Sequence, residues 1–243
     1  MSAARRVPEG PAPDPAVQKL RVRYAKRGRM RFTSSRDFQR ALERGLRLAD
    51  VPMAYSAGFH PHPKISYANA APTGVASEAE YVELSVTRHV EPAQVARALD
   101  AALPEGLDIV RVVEAGPGAL ADQLQASRWQ LVFAGVALQD LQPVVDDFLA
   151  RDSVEVTRMM KQGPRAIEVR GPVVTTDLCA VPDPGSPGAV LELTVRHTTP
   201  TVRPAELWTA LCEVSGRDLP RPASARLTQG TLAGDGSIID PFA

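Results

Sequence analysis

What constrains this chain most is the order in which two hydrophobic periods follow one another. Leu20–Tyr24 reads L-R-V-R-Y, apolar and polar in alternation, the period of a half-buried strand. Ala25–Arg29 is a basic turn or bulge containing Gly28, and Met30–Phe32 is expected to return to strand. Ser34 then offers an N-cap, with Asp37 three residues later as a variant of the capping box. The helix it starts is expected to run to about Ala49, with Phe38, Leu42, Leu46 and Ala49 on the apolar stripe. Strands are expected at Ile65–Ala70 and Glu80–Thr87. Pro92 opens a second helix, with Val95, Leu99 and Leu103 on one face and Gly106 at its end; Leu107–Val113 is the next strand. The sequence strand, helix, strand, strand, helix, strand is the split-βαβ, ferredoxin-like arrangement.

The order recurs after a connector around Gly116–Gln125. Arg128–Val136 reads as a strand and Leu138–Ala150 as a helix. Val154–Met159 and Ala166–Val169 are expected as short strands around Gly163–Pro164, with Val173–Val181 an extension or an excursion. Pro182–Gly188 is a turn-rich loop, Ala189–His197 a strand, Pro204–Val214 a helix and Ala225–Leu232 a last strand. The expected organisation is therefore α+β: two tandem ferredoxin-like units with antiparallel sheets, over 19–116 and 126–233. A disordered Pro- and Ala-rich tail is expected at 1–18 and a C-terminal tail at 234–243.

Between the first helix and its following strand lies Y-S-A-G-F-H-P-H-P-K, Tyr55–Lys64. Gly58 permits a turn with φ > 0, while Pro61 and Pro63 stiffen the backbone. The expectation is a rigid exposed loop presenting Tyr55, Ser56, Phe59, His60, His62 and Lys64, the usual place for function on a scaffold. A plain proline-rich connection with incidental histidines is the alternative.

Charge is unevenly placed although the formal net charge is zero. Lys19–Lys64 holds twelve Lys and Arg against three Asp and Glu, and the remainder from Ile65 is correspondingly acidic. On the first helix Arg36, Arg40, Arg44 and Arg47 recur at i, i+4, i+8 and i+11, one stripe interrupted only by Glu43. Solvated helix faces usually mix signs, so this stripe, with Arg29 and Arg31 before it, points to a phosphate-bearing partner. A merely solvated arginine surface is the competing explanation.

Other chemistry has little support. His60 and His62 share a face of an extended backbone, yet spacing supplies no third metal ligand, so no metal and no cofactor is expected. There is no Walker A loop and no dinucleotide glycine fingerprint. Nor is there a C-x-x-x-C-x-x-C run, so the chain by itself holds no radical-SAM cluster. Cys179 and Cys212 are far apart, the N-terminal stretch lacks the apolar core of a signal peptide, and no apolar run approaches membrane-spanning length. A reduced cytoplasmic protein without a membrane is expected. General acid–base work by His62, Tyr55 and Lys64 and RNA binding by stacking aromatics with cations need the same residue types, and the residues alone leave both open.

Lys19–Ala115 resembles the bacterial radical SAM-linked proteins, domain of unknown function 2344. The resemblance is carried by Y-A-K-R-G-R-M-R-F (Tyr24–Phe32), S-S-R-D-F (Ser34–Phe38), A-Y-S-A-G-F-H-P-H-P-K-I-S-Y (Ala54–Tyr67), A-P-T-G-V (Ala71–Val75) and S-E-A-E-Y (Ser77–Tyr81). It implies a connection to RNA or to a radical SAM protein, because genes of the family often lie beside a ribonuclease of the E/G type. Ser35 stands where the family pattern has histidine, and His60 where Asn or Ser is usual; His62 fits the pattern. Three functions follow as expectations: an RNA-binding accessory protein in RNA processing or modification, a substrate-presenting subunit for a separate radical SAM enzyme, or a metal-independent RNA endonuclease with His62 as its acid–base group.

Overall fold

The computed structural model describes residues 13–181 and 188–243. Most of the expected N-terminal tail and the turn-rich run over 182–187 lie outside the described residues. The chain is α+β, with mostly antiparallel strands, and divides into two compact units. Unit 1 comprises residues up to Ala70 together with Glu80–Leu120, and unit 2 comprises Ala71–Ala79 with Ala121–Ala243.

Unit 1 is built from β1 (Gln18–Lys26), α1 (Ser35–Leu48), β2 (Ile65–Ala68), the greater part of β3 (Ala76–Val86), α2 (Pro92–Ala102) and β4 (Ile109–Glu114). Its strands lie in the order β4-β1-β3-β2, which makes β2 an edge strand. The alternation of β1 sends Leu20, Val22 and Tyr24 into a core shared with Phe38, Leu42 and Leu46 of α1 and Val95 and Leu99 of α2. Ser34 caps α1 as the sequence suggests: its hydroxyl oxygen accepts from the Asp37 amide at 3.2 Å.

Met30–Phe32 departs from expectation. Gly28–Phe32 is a 3-10 turn with Gly28 at φ 50°, so three alternating residues do not make a strand here. The chain must reverse at once, because the Arg27 amide is held by the Gly106 carbonyl at 2.8 Å. Gly106 has φ 88°, and a Cβ there would stand 2.9 Å from the Arg27 carbonyl oxygen. Glycine is required at this crossing on both counts.

Unit 2 contains most of α3 (Leu120–Gln123), then β5 (Ala126–Ala134), α4 (Leu138–Leu149), β6 (Glu155–Met160), β7 (Gly163–Glu168), β8 (Val173–Ala180), β9 (Gly188–Arg196), α5 (Pro204–Ser215), β10 (Ala223–Leu232) and β11 (Ile238–Ile239). The sheet order is β10-β5-β9-β8, with β11 added to β10. One pairing is parallel: Ala76 and Ser77 of β3 run beside Ala225 and Arg226. Trp129, Leu131 and Phe133 of β5 pack with Leu141, Val144 and Phe148 of α4 and Leu207 and Leu211 of α5.

The strand beside β9 is β8, and β6 and β7 pair with each other in a separate two-stranded ribbon. The two short strands stand where they are expected, around Gly163–Pro164, and the turn and β8 account for their pairing. Lys161 and Gln162 form a two-residue turn closed by Gly163 at φ 110°, which folds the two short runs onto one another. β8 is a Thr-bearing edge strand with little apolar alternation. The C-terminal stretch expected as a tail also adds a strand, and Phe242 is buried. Gly230 allows this, since a side chain there would collide with the Ile239 backbone.

Gly106→Ala is expected to destabilise unit 1 by about 1–3 kcal/mol, through strain at positive φ and displacement of the Arg27 turn. Chemical denaturation of the variant beside the parent measures it; an unchanged midpoint would contradict the crossing described.

Candidate nucleic-acid interface

The stem of the 55–64 loop is fixed by a set of backbone bonds. The Ala54 amide donates to the Ser85 carbonyl at 2.8 Å, Lys64 to Ala54 at 2.7 Å, and Ser85 to Lys64 at 3.0 Å. Higher in the loop Tyr55 bridges Pro63, and the Ser56 amide donates to the His62 carbonyl at 2.8 Å. The Ser56 hydroxyl oxygen in turn accepts from the His62 amide at 3.0 Å. Ser56 is thus a positioning residue that clamps the backbone of His62. At the tip, Gly58 takes φ 141°, and Phe59 is left 62% exposed. His60, His62 and Lys64 are exposed as well, and Tyr55 is at the margin of exposure. The His62 imidazole makes no hydrogen bond among the described residues.

The arginine stripe of α1 is also in solvent: Arg36, Arg40, Arg44 and Arg47 are all exposed. Arg40 has a carboxylate neighbour, Asp37 at 3.9 Å, a long and exposed i,i+3 pair that contributes little. Arg36, Arg44 and Arg47 have no salt bridge among the described residues. Glu43, which the i,i+4 rule would pair with Arg47, instead lies by Tyr67. Burial pushes the Tyr67 hydroxyl up to about 12, and the Glu43 carboxylate adds to the effect. Arg29 is exposed on the 3-10 turn; Arg31 is half-buried, its guanidinium 4.7 Å over the ring of Phe32.

Phe38 links helix and loop strand. Its ring stacks on Tyr24 at 4.4 Å and meets Tyr67 edge-on at 6.3 Å. Because Tyr67 and Ile65 face α1, alternation turns Lys64 and Ser66 to the other side of the sheet, where Ser66 pairs with Glu83. Glu83 is taken by Lys19 at 3.0 Å and Arg21 at 3.2 Å. The arginine stripe and Lys64 therefore lie on opposite sides of the β2 edge, with the loop between them.

Among the described residues no group of three or more His, Cys, Asp or Glu side chains is placed to hold a metal ion. No helix among the described residues is long and apolar enough to cross a membrane.

Unit 2 holds a cavity of about 590 Å³ lined in part by Gln125, Val174, Arg196, His197, Leu232 and Gly234. The sequence reading assigned His197 no role. Its Nδ1 lies 2.6 Å from the Leu124 carbonyl oxygen and its Nε2 2.8 Å from the Ser127 hydroxyl. A carbonyl only accepts, so Nδ1 carries the proton and Ser127 donates to Nε2. Ser127 is fully buried, and this serine–histidine pair ties the start of β5 to α3 and to the end of β9. No periodicity or motif marks it, since the partners lie about seventy positions apart.

The model of a bacterial family described as "Uncharacterized protein conserved in bacteria (DUF2344)" matches residues 19–204. The chain belongs to this family. The match extends well into unit 2, beyond the motifs that carry the resemblance. No curated protein matches the chain. Among solved structures, an unknown protein from Galdieria sulphuraria aligns at 15% identity over 84% of this chain and 98% of its own, with a TM-score of 0.25. DypB from Rhodococcus jostii RHA1 aligns at 11% identity as a variant in complex with heme and at 12% in a second crystal form. Each covers 89% of this chain and 92% of its own, with a TM-score of 0.23. Scores of this size do not establish a shared fold.

Burial, opposed by the Leu124 carbonyl and aided by the Arg226 charge, lowers His197 from its ordinary 6.5 to about 4. The folded state therefore binds fewer protons than the unfolded state between these values. Stability is expected to fall as pH drops from about 6.5 towards 4, by on the order of 2 kcal/mol from this residue. Thermal melts across that range test it: His197→Gln should show the shallower pH slope, and equal slopes would contradict the assignment.

Proposed function

We propose that the protein binds RNA as an accessory factor in RNA processing or modification, through the α1 arginine stripe and the 55–64 loop. The observation that carries this is the pairing of exposed arginines, three of them without a salt bridge, with a bridged loop that holds Phe59 in solvent. Guanidinium forks suit phosphate, and an exposed ring on a stiff loop suits an unpaired base. An apolar ring kept 62% exposed on a loop with a hydrogen-bonded stem buries little surface in the fold. We further propose that each unit is a ferredoxin-like module; the strand orders β4-β1-β3-β2 and β10-β5-β9-β8 support this.

In this reading one RNA strand crosses the β2 edge, with phosphates on Arg36, Arg40, Arg44 and Arg47 on one side and on Lys64 on the other. Phe59, with Tyr55 behind it, takes a base at the tip. Pro61, Pro63 and Lys64 also protect that edge from pairing with another strand. His62 is held through its backbone while its ring has no orienting partner among the described residues, which favours a binding role over an acid–base one. The resemblance to radical SAM-linked proteins adds a context: the RNA would be presented to a separate radical SAM enzyme or to a ribonuclease of the E/G type.

Binding to total cellular RNA is expected to weaken steeply between low and physiological salt. Arg40→Glu should weaken it for all sequences, by about tenfold, while Phe59→Ala should mainly reduce the preference for single strands. Filter binding at two salt concentrations measures both. No retention of RNA at low salt would end the proposal.

A further inference from the structure

The β6–β7 ribbon is a second feature whose exposed surface the fold does not use. Its root is well fixed. Val156 and Ile167, paired across the ribbon, are buried in the unit 2 core. Arg158 is buried too and is bound by Glu206 of α5, with a further bond from its guanidinium to the Thr201 carbonyl at 2.8 Å. Glu168 is also occupied, its carboxylate accepting from the Arg170 amide at 2.9 Å and from the Gly171 amide. The outer half is different. Thr157, Met159, Pro164 and Ala166 share one face by register, and all four are exposed. Met159 is 74% exposed, more than any other large apolar side chain described.

Cations predominate around the outer half of this face, and the exposed carboxylate of Glu155 stands at its root. From Val156 to Ile167 the sequence contains Arg158, Lys161 and Arg165 and no carboxylate. Glu206 takes Arg158, so Lys161 at the turn and Arg165 beside it remain as exposed cations. Arg165 stands directly opposite Arg158 in the ribbon, on the other face from Met159; Glu206 pairs with Arg158, and Arg165 has no salt bridge among the described residues. An apolar plate bordered by cations, on a rigid two-stranded arm, complements a base flanked by phosphates.

We propose that this hairpin is a second RNA contact, with Met159 packing on an unpaired base and Lys161 and Arg165 holding the neighbouring phosphates. The inference rests on the RNA-binding reading above. It adds to that reading a contact in unit 2 that the motifs of the first half do not contain. The thioether is polarisable and unbranched, so it accepts any base face without fixing its identity.

The test uses the full chain and a fluorescein-labelled single-stranded oligoribonucleotide of mixed sequence, followed by anisotropy. The double variant Lys161→Glu, Arg165→Glu is expected to bind about tenfold more weakly with a shallower salt slope. Met159→Glu should weaken binding while leaving the melting temperature unchanged, because the side chain is in solvent. As a direct readout, RNA should slow the peroxide oxidation of Met159 to its sulfoxide, measured by mass spectrometry. If the parent binds RNA yet Met159 oxidises equally fast in the complex and the variants bind normally, the hairpin inference is overturned while the loop reading stands. If the parent binds no RNA, both fall. Protection of Met159 by duplex DNA and not by RNA would overturn the choice of ligand.

Discussion

Phe38 is the point on which unit 1 turns. Its ring lies flat on Tyr24 of β1 and meets Tyr67 of β2 edge-on, so one side chain fixes the helix carrying the arginines against both the sheet centre and the edge strand. Such aromatic pairs add about 0.5–1.5 kcal/mol to the area that they bury. Their geometric effect is larger than that figure suggests. With Phe38 inward, the 3.6-residue period sends Arg36, Arg40, Arg44 and Arg47 outward together. Tyr67, drawn inward, places Lys64 and Ser66 on the other side of the sheet. The loop between Ala54 and Lys64 is then left at the edge, stiffened by its own bridge and by the Ser56–His62 clamp.

Unit 2 shows the same division between what is fixed and what is offered. The serine–histidine pair looks like a catalytic arrangement in a list of neighbours, yet full burial of Ser127 and the backbone partner on Nδ1 make it a structural tie. The Arg158–Glu206 pair is likewise buried and satisfied, and it anchors the ribbon to α5. Beyond that anchor the ribbon is exposed, apolar and cationic at once. A buried charge pair is weak evidence for stability by itself. Here its place at the root of an exposed arm gives it a clear positional role.

Much of this was legible in the sequence because the relevant signals are local. The Ser34 cap, the α1 apolar stripe and the arginine stripe depend on residues three or four apart, and β1 and β3 alternate over a long enough run to be read. Phe59 and the histidines could be expected in solvent because glycine and two prolines bracket them. Failures came where a short pattern met a tertiary constraint. Met30–Phe32 alternates, but Gly28 and the Gly106 crossing bend it into a 3-10 turn. β8 hardly alternates, and β11 is too short to carry a period. His197 acquires its partners by chain crossing, which no spacing announces. The placing of the Tyr67 ring against Phe38 and beside Glu43 belongs to the same class.

In the binding mode that we propose, an RNA strand runs over the α1 stripe and the tip of the 55–64 loop. Ultraviolet cross-linking of bound RNA to the full chain, with the adducts mapped by mass spectrometry, tests it most directly. The account predicts adducts at Phe59 or Tyr55, lost when the four α1 arginines are replaced by glutamate. Adducts confined to segments outside residues 36–64, unchanged by those replacements, would contradict it.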